Sequence, residues 1–103
     1  MDSSKGEYHR ELGIVQMRNP RWQKPAETAL SRAIEIEQTD VRALVHLGLL
    51  YKKNGLKRRA VETFRQALQW DPENSVAVES LAQLEPSAEE PGGRLKGLFG
   101  RRP

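Results

Sequence analysis

The chain of 103 residues contains no cysteine. That excludes disulfide staples, a thiolate nucleophile and a cysteine-ligated metal, and it fits a reducing compartment. Histidine is nearly as scarce: His9 and His46 are the only two, they lie far apart in sequence, and no serine stands in a nucleophile elbow. No glycine-rich loop is placed to cradle a phosphate, because Gly92-Gly93 lies near the C-terminus rather than between a strand and a helix. No run approaches the roughly 18 apolar residues of a membrane span, and the opening MDSSKGEYHR lacks the apolar centre of a secretory leader. A cytoplasmic location is the expectation, whether Met1 is a true start or a cut from a longer protein. His9 with Glu7 or Glu11 is a thin metal constellation, and an exposed helix surface explains it more simply. Glu35 and Glu37 fall on different helical faces. Neither an enzyme nor a cofactor or metal site is therefore expected.

What the chain does have is charge and one highly organised stretch. Charged residues make up 30%, but the net charge of +3 is too modest for basicity alone to mark a nucleic-acid protein. The organised stretch is Val41 to Asn74. Leu47, Gly48 and Tyr51 fall on one side of a first helix, which Asn54-Gly55 ends through glycine's tolerance of the left-handed conformation. Ala60, Phe64 and Ala67 form a small-large-small stripe on a second helix, which Asp71-Pro72 stops. Two antiparallel helices approach closely only where side chains are small. Gly48, Ala60 and Ala67 supply such places, and Tyr51 and Phe64 fill the spaces between them. The first helix is apolar around most of its circumference, so it needs neighbours on both sides.

This stretch resembles the tetratricopeptide repeat in its Leu47-Gly48-x-x-Tyr51, Ala60-x-x-x-Phe64, Ala67 and Pro72 positions, with Leu44 in the usual Trp position. Residues 6 to 40 read as a second, degenerate copy. Leu12-Gly13 matches Leu47-Gly48; Ala26, Leu30 and Ala33 match Ala60, Phe64 and Ala67. The copy departs at Gln16, where Tyr is usual, at Gln38, where Pro is usual, and in a first turn one residue longer. Tyr8, Leu12, Val15 and Met17 are the apolar positions of its first helix, with Ile14 on the adjoining face. Pro25 suits the first position of its second helix, and Trp22 should cover the gap that Leu56 covers in the next copy. Residues 75 to 85, with Val76, Val78, Leu81 and Leu84 at helical spacing, read as a closing helix.

The expected fold is all-α: a short right-handed solenoid of two hairpins, residues 6–40 and 41–74, plus a capping helix 75–85. Residues 1–4 are expected to be a disordered start, and residues 86–103 a flexible basic tail rich in Gly, Pro and charge. So few repeats bury little core, so the domain should be marginal alone, or steadied by homo-oligomerisation or a larger host protein.

In the resembling family the first helices line a concave groove that holds a partner. The resemblance implies a groove of Arg10, Ile14 and Met17, then Arg42, Val45, His46, Leu49, Lys52 and Lys53, then Val76, Glu79 and Gln83. Its apolar floor would be Ile14, Met17, Val45 and Leu49, unless these pack between hairpins instead. Its cationic sides suit a peptide or helix with acidic flanks. The Lys, Asn, Asn, Lys, Arg clamp that grips chaperone C-termini would fall on Arg10, Ile14, His46, Val76 and Ser80. Only Arg10 keeps that character, so the clamp is absent. Arg18, Arg21 and Lys24 in one turn, with Lys52, Lys53, Lys57, Arg58 and Arg59 in the other, gather eight of the 17 cations on one edge. Such an edge is either plain solvated surface or a steering patch for acidic protein, phosphate polymer or anionic membrane. Trp22 is the only aromatic there, which argues against single-stranded nucleic acid. Leu95, Leu98 and Phe99 sit among Arg94, Lys96, Arg101 and Arg102, a tail motif for a second partner or a membrane surface, free of its own cationic groove.

The function expected is a protein–protein interaction module that acts through the groove. The alternatives are electrostatic docking through the basic edge and tail, or a subdomain of a larger assembly such as a co-chaperone or secretion apparatus.

Overall fold

The structure, a computed structural model, describes residues 3–85. Five α-helices follow one another: α1 (Ser3–Gln16), α2 (Gln23–Ile36), α3 (Val41–Lys53), α4 (Lys57–Trp70) and α5 (Ser75–Leu84), with a 3-10 turn over Pro20–Trp22. No strand occurs among the described residues. The pairs α1–α2 and α3–α4 are hairpins; α3 leans mainly on α2, and α5 mainly on α4. This is a short helical solenoid, with α5 as an added first-type helix. The tail motif Leu95, Leu98 and Phe99 lies outside the described residues.

Each hairpin closes on a glycine. A Cβ on Gly48 would lie 2.8 Å from the Phe64 ring, and one on Gly13 would lie 2.6 Å from Leu30 Cγ. The aligned positions thus do the same work in both copies. The core divides into two clusters. Ile14, Ala26, Leu30, Ala33, Ala43, Leu47 and Leu50 fill the junction between the first hairpin and α3. Leu44, Val45, Ala60, Phe64, Ala67 and Ala77 fill the space among α3, α4 and α5. Phe64 is the largest fully buried side chain, a burial worth about 1.5–3 kcal/mol.

The turns between hairpins are near copies although only one has a proline. Asp40 Oδ1 accepts from Ala43 N at 3.1 Å, and Asn74 Oδ1 accepts from Ala77 N at 3.0 Å. The turns inside the hairpins differ. After α3, the amides of Gly55 and Leu56 donate back to the carbonyls of Lys52 and Tyr51, with Gly55 at φ 77°. After α1, Asn19 Oδ1 accepts from Arg21 N, while the Gln23 amide donates to the carbonyls of Met17 and Asn19 at 3.0 and 2.9 Å. The longer turn is therefore a capped 3-10 turn rather than a glycine stop.

Three expectations need correction. Residues 3 and 4, expected to belong to a disordered start, are part of α1, which begins at Ser3. Pro25 is not the first residue of its helix. The 3-10 turn passes directly into Gln23, and a proline within the first turn gives up no helical hydrogen bond. The apolar positions of α1 divide, Tyr8 and Val15 being 63% and 59% exposed and Ile14 7% exposed. Trp22 and Leu56 are both exposed, so neither seals its hairpin.

Candidate functional site

The residues expected to line a groove lie on α1, α3 and α5, with Met17 directly after α1. On α3, Arg42, His46, Leu49 and Lys53 recur at helical spacing and form a ridge. His46 is fixed by its own helix, with Nδ1 2.8 Å from the Arg42 carbonyl oxygen. Arg42 reaches across to α1, its Nη1 3.4 Å from Glu11 Oε2. On the other side Lys52 donates from Nζ to Gln83 Oε1, which ties α3 to α5. Val76 and Glu79 are exposed on α5.

The apolar floor is smaller than expected. Ile14 and Val45 are 7% and 6% exposed, because α2 and α5 sit close enough to enclose them, and they serve the core instead. Met17 is partly buried against the first core cluster, and Leu49 against the second. Leu49 is thus the apolar residue of α3 still accessible in the ridge. Arg10 is also committed elsewhere. Its Nη1 lies 3.3 Å from Asp40 Oδ2 and its Nε donates to Glu11 Oε2 at 3.0 Å. Burial alone would lower the Arg10 pKa, but the bonds to Glu11 and the charge of Asp40 raise it above its ordinary value.

The basic edge contains an acid that sequence spacing did not point to. Glu27, on α2, accepts from the Tyr51 hydroxyl at 3.0 Å, and its carboxylate lies 3.6 Å from Lys24 Nζ and 3.9 Å from Arg59 Nη1. The Arg59 guanidinium stands 5.9 Å from the centroid of the Tyr51 ring. Burial pushes the Tyr51 phenol up, helped by its hydrogen bond to Glu27 and opposed by Arg59. Arg18, Arg21, Lys53, Lys57 and Arg58 have no ion-pair partner among the described residues. Glu11 is the other residue missed: its role appears only when α1 and α3 lie side by side. Asp40 had a legible signal, since it stands directly before the apolar start of α3.

Comparison with known proteins agrees with this geometry. Residues 41–74 match the family described as Tetratricopeptide repeat. The chain is 37% identical over 68 residues to the probable UDP-N-acetylglucosamine–peptide N-acetylglucosaminyltransferase SPINDLY of Solanum lycopersicum, a match covering 66% of this chain and 7% of that protein. It is 29% identical over 71 residues to Sperm-associated antigen 1 of Mus musculus, covering 69% of this chain and 8% of that protein. The chain therefore spans less than a tenth of the length of either relative. Its central hairpin is a tetratricopeptide repeat, and such repeats serve as protein-interaction units.

Proposed function

We propose that this short tetratricopeptide-repeat solenoid binds a peptide or helix of another protein along the α3 ridge, with Leu49 as the apolar contact and Arg42, His46, Lys52 and Lys53 as its polar border. The observation that carries this reading is the ridge itself. Its residues stand at one helical spacing, and two flanking contacts, Arg42–Glu11 and Lys52–Gln83, hold α1, α3 and α5 together beside it. The cations of the border favour a ligand with acidic flanks. The transferase activity named for the tomato relative is not carried over, because the match covers 7% of that protein.

The alternative, electrostatic docking to nucleic acid or membrane, is less well supported. Glu27 offsets part of the basic edge by pairing with Lys24 and Arg59. The test is to select peptides from a random display library against the intact chain and measure their affinity by calorimetry. Leu49→Glu and Arg42→Glu should each weaken binding at least about tenfold, which corresponds to 1.4 kcal/mol, with the helical circular-dichroism signal retained. Unchanged affinity in both variants would overturn the ridge as the site. Loss of helicity in Leu49→Glu alone would assign Leu49 to the core and leave Arg42→Glu to decide. Groove binding should survive in part at high salt, whereas phosphate-driven binding weakens steeply.

A further inference from the structure

The two ends of the solenoid are unlike its middle, and unlike each other. Terminal repeats ordinarily present a polar outer face; among the described residues, α1 and α5 both expose large apolar side chains. On α1, Tyr8, Leu12 and Val15 stand at the positions that Ala43, Leu47 and Leu50 hold on α3, where they are buried against the preceding hairpin. Tyr8 and Val15 are instead open, and beside them runs a cleft of about 740 Å³ between α1 and α2. Leu12, Pro25 and Ala29 make its apolar part, while Lys24 and Arg32 supply positive charge, and no carboxylate lines it. Gln16 repeats the theme. It occupies the position of Tyr51, whose hydroxyl bonds to the preceding hairpin, and its Oε1 is buried with no donor among the described residues.

The other end has the opposite character. Val78 and Ala82 stand on α5 where Leu44 and Gly48 stand on α3, the side that α4 covers. No second helix covers them among the described residues, and Val78 is 47% exposed. The segment Asp71–Glu85 carries Asp71, Glu73, Glu79 and Glu85 and no Lys or Arg. Glu85 is paired with Arg65, while Glu79 is exposed. At the cleft, Lys24 and Arg32 are paired only with Glu27 and Glu35 of their own helix. Arg32–Glu35 is a solvent-exposed surface pair and Lys24 itself is almost fully exposed, so both contacts are weak enough to leave the cations available.

We propose that copies of this chain associate head to tail, the outer face of α5 in one copy packing into the α1–α2 cleft of the next. Apolar surface meets apolar surface at this contact, and the acidic end meets the basic one. A symmetric contact is disfavoured on the same ground, since α5 against α5 would place Glu79 and its neighbours against like charge. A head-to-tail contact joins two different surfaces, so a dimer still presents one unoccupied surface of each kind and association continues beyond it.

Sedimentation velocity of the intact chain over a concentration series, with two charge variants, tests this. Val15→Glu combined with Arg32→Glu alters only the head, and Val78→Lys only the tail. All three side chains are exposed, and circular dichroism verifies that each variant keeps its helicity. The expected result is a wild-type mass that rises with concentration past the dimer, and variants that are each monomeric alone. Mixed, the two variants should form a 1:1 dimer, because the head-altered copy keeps its tail and the tail-altered copy keeps its head. A wild type that stays monomeric at millimolar concentration would overturn the proposal. So would a dimer that either variant abolishes and that mixing does not restore, which would mean a symmetric contact. Association that appears only after deletion of residues 86–103 would also overturn it, by showing that the chain covers its own end.

Discussion

The first and second hairpins share one plan, and their differences follow what each has to face. Where a helix must approach its own partner, the copies agree: Gly13 against Leu30 and Gly48 against Phe64 leave no room for a Cβ. Where a residue faces the preceding unit, they diverge. Tyr51 reaches back to Glu27, whereas Gln16 has no hairpin before it among the described residues and its buried oxygen lacks a donor. The turn after each hairpin shows a third case. Gln38 and Pro72 differ, yet the amides of Asp40 and Asn74 donate to Glu37 and Asp71 at the same 3.1 Å. The comparison teaches that packing within a hairpin fixes residue type, while proline in the connecting turn is an option the geometry tolerates without needing.

The comparison can be broken at its strongest point first. Phe64→Ala should cost about 3–5 kcal/mol and Leu30→Ala about 2–5 kcal/mol, measured by urea unfolding, with the larger loss at Phe64. That is a large share of the 5–15 kcal/mol typical of a domain, so the Phe64 variant should be largely unfolded near body temperature. An unchanged melting temperature would show the repeat register to be wrong. Gly48→Ala and Gly13→Ala should each cost about 1–3 kcal/mol by overpacking. A neutral Gly13 substitution beside a costly Gly48 one would mean that the first hairpin is the looser of the two.

A smaller effect separates the inner turns. Gly55→Ala places a side chain at φ 77° and should lower stability by about 1–2 kcal/mol. The first turn, capped by Asn19, contains no such residue. Last, Gln38→Pro should raise stability by about 0.4–1 kcal/mol. Glu37 already has the extended backbone, φ −137° and ψ 97°, that a following proline requires, close to Asp71 at φ −140° and ψ 81°. A loss of stability there would show that the two connecting turns are less alike than their hydrogen bonds indicate.

The hairpins were legible because glycine, alanine and a large partner residue at fixed spacing are demands of close helix approach. Local pattern carried no information about the depth of the expected groove. Ile14 and Val45 pattern as groove positions and are nonetheless enclosed, since enclosure depends on how near α2 and α5 lie, a distance that no local pattern encodes. Glu27 escaped notice for a related reason. Its bond to Tyr51 spans 24 positions, and on its own helix it is simply one more polar residue. The basic edge looked uniform because only its cations cluster in sequence.

The central claim is that the ridge of α3 is the face a partner uses. The most direct measurement is amide chemical-shift mapping of the intact chain during titration with a peptide selected against it. The account predicts that the largest shifts fall on Arg42, His46, Leu49 and Lys53, with smaller ones at Glu11 and Gln83 on the flanking helices. Shifts concentrated on the outer surfaces of α2 and α4, with the α3 ridge unmoved, would contradict it.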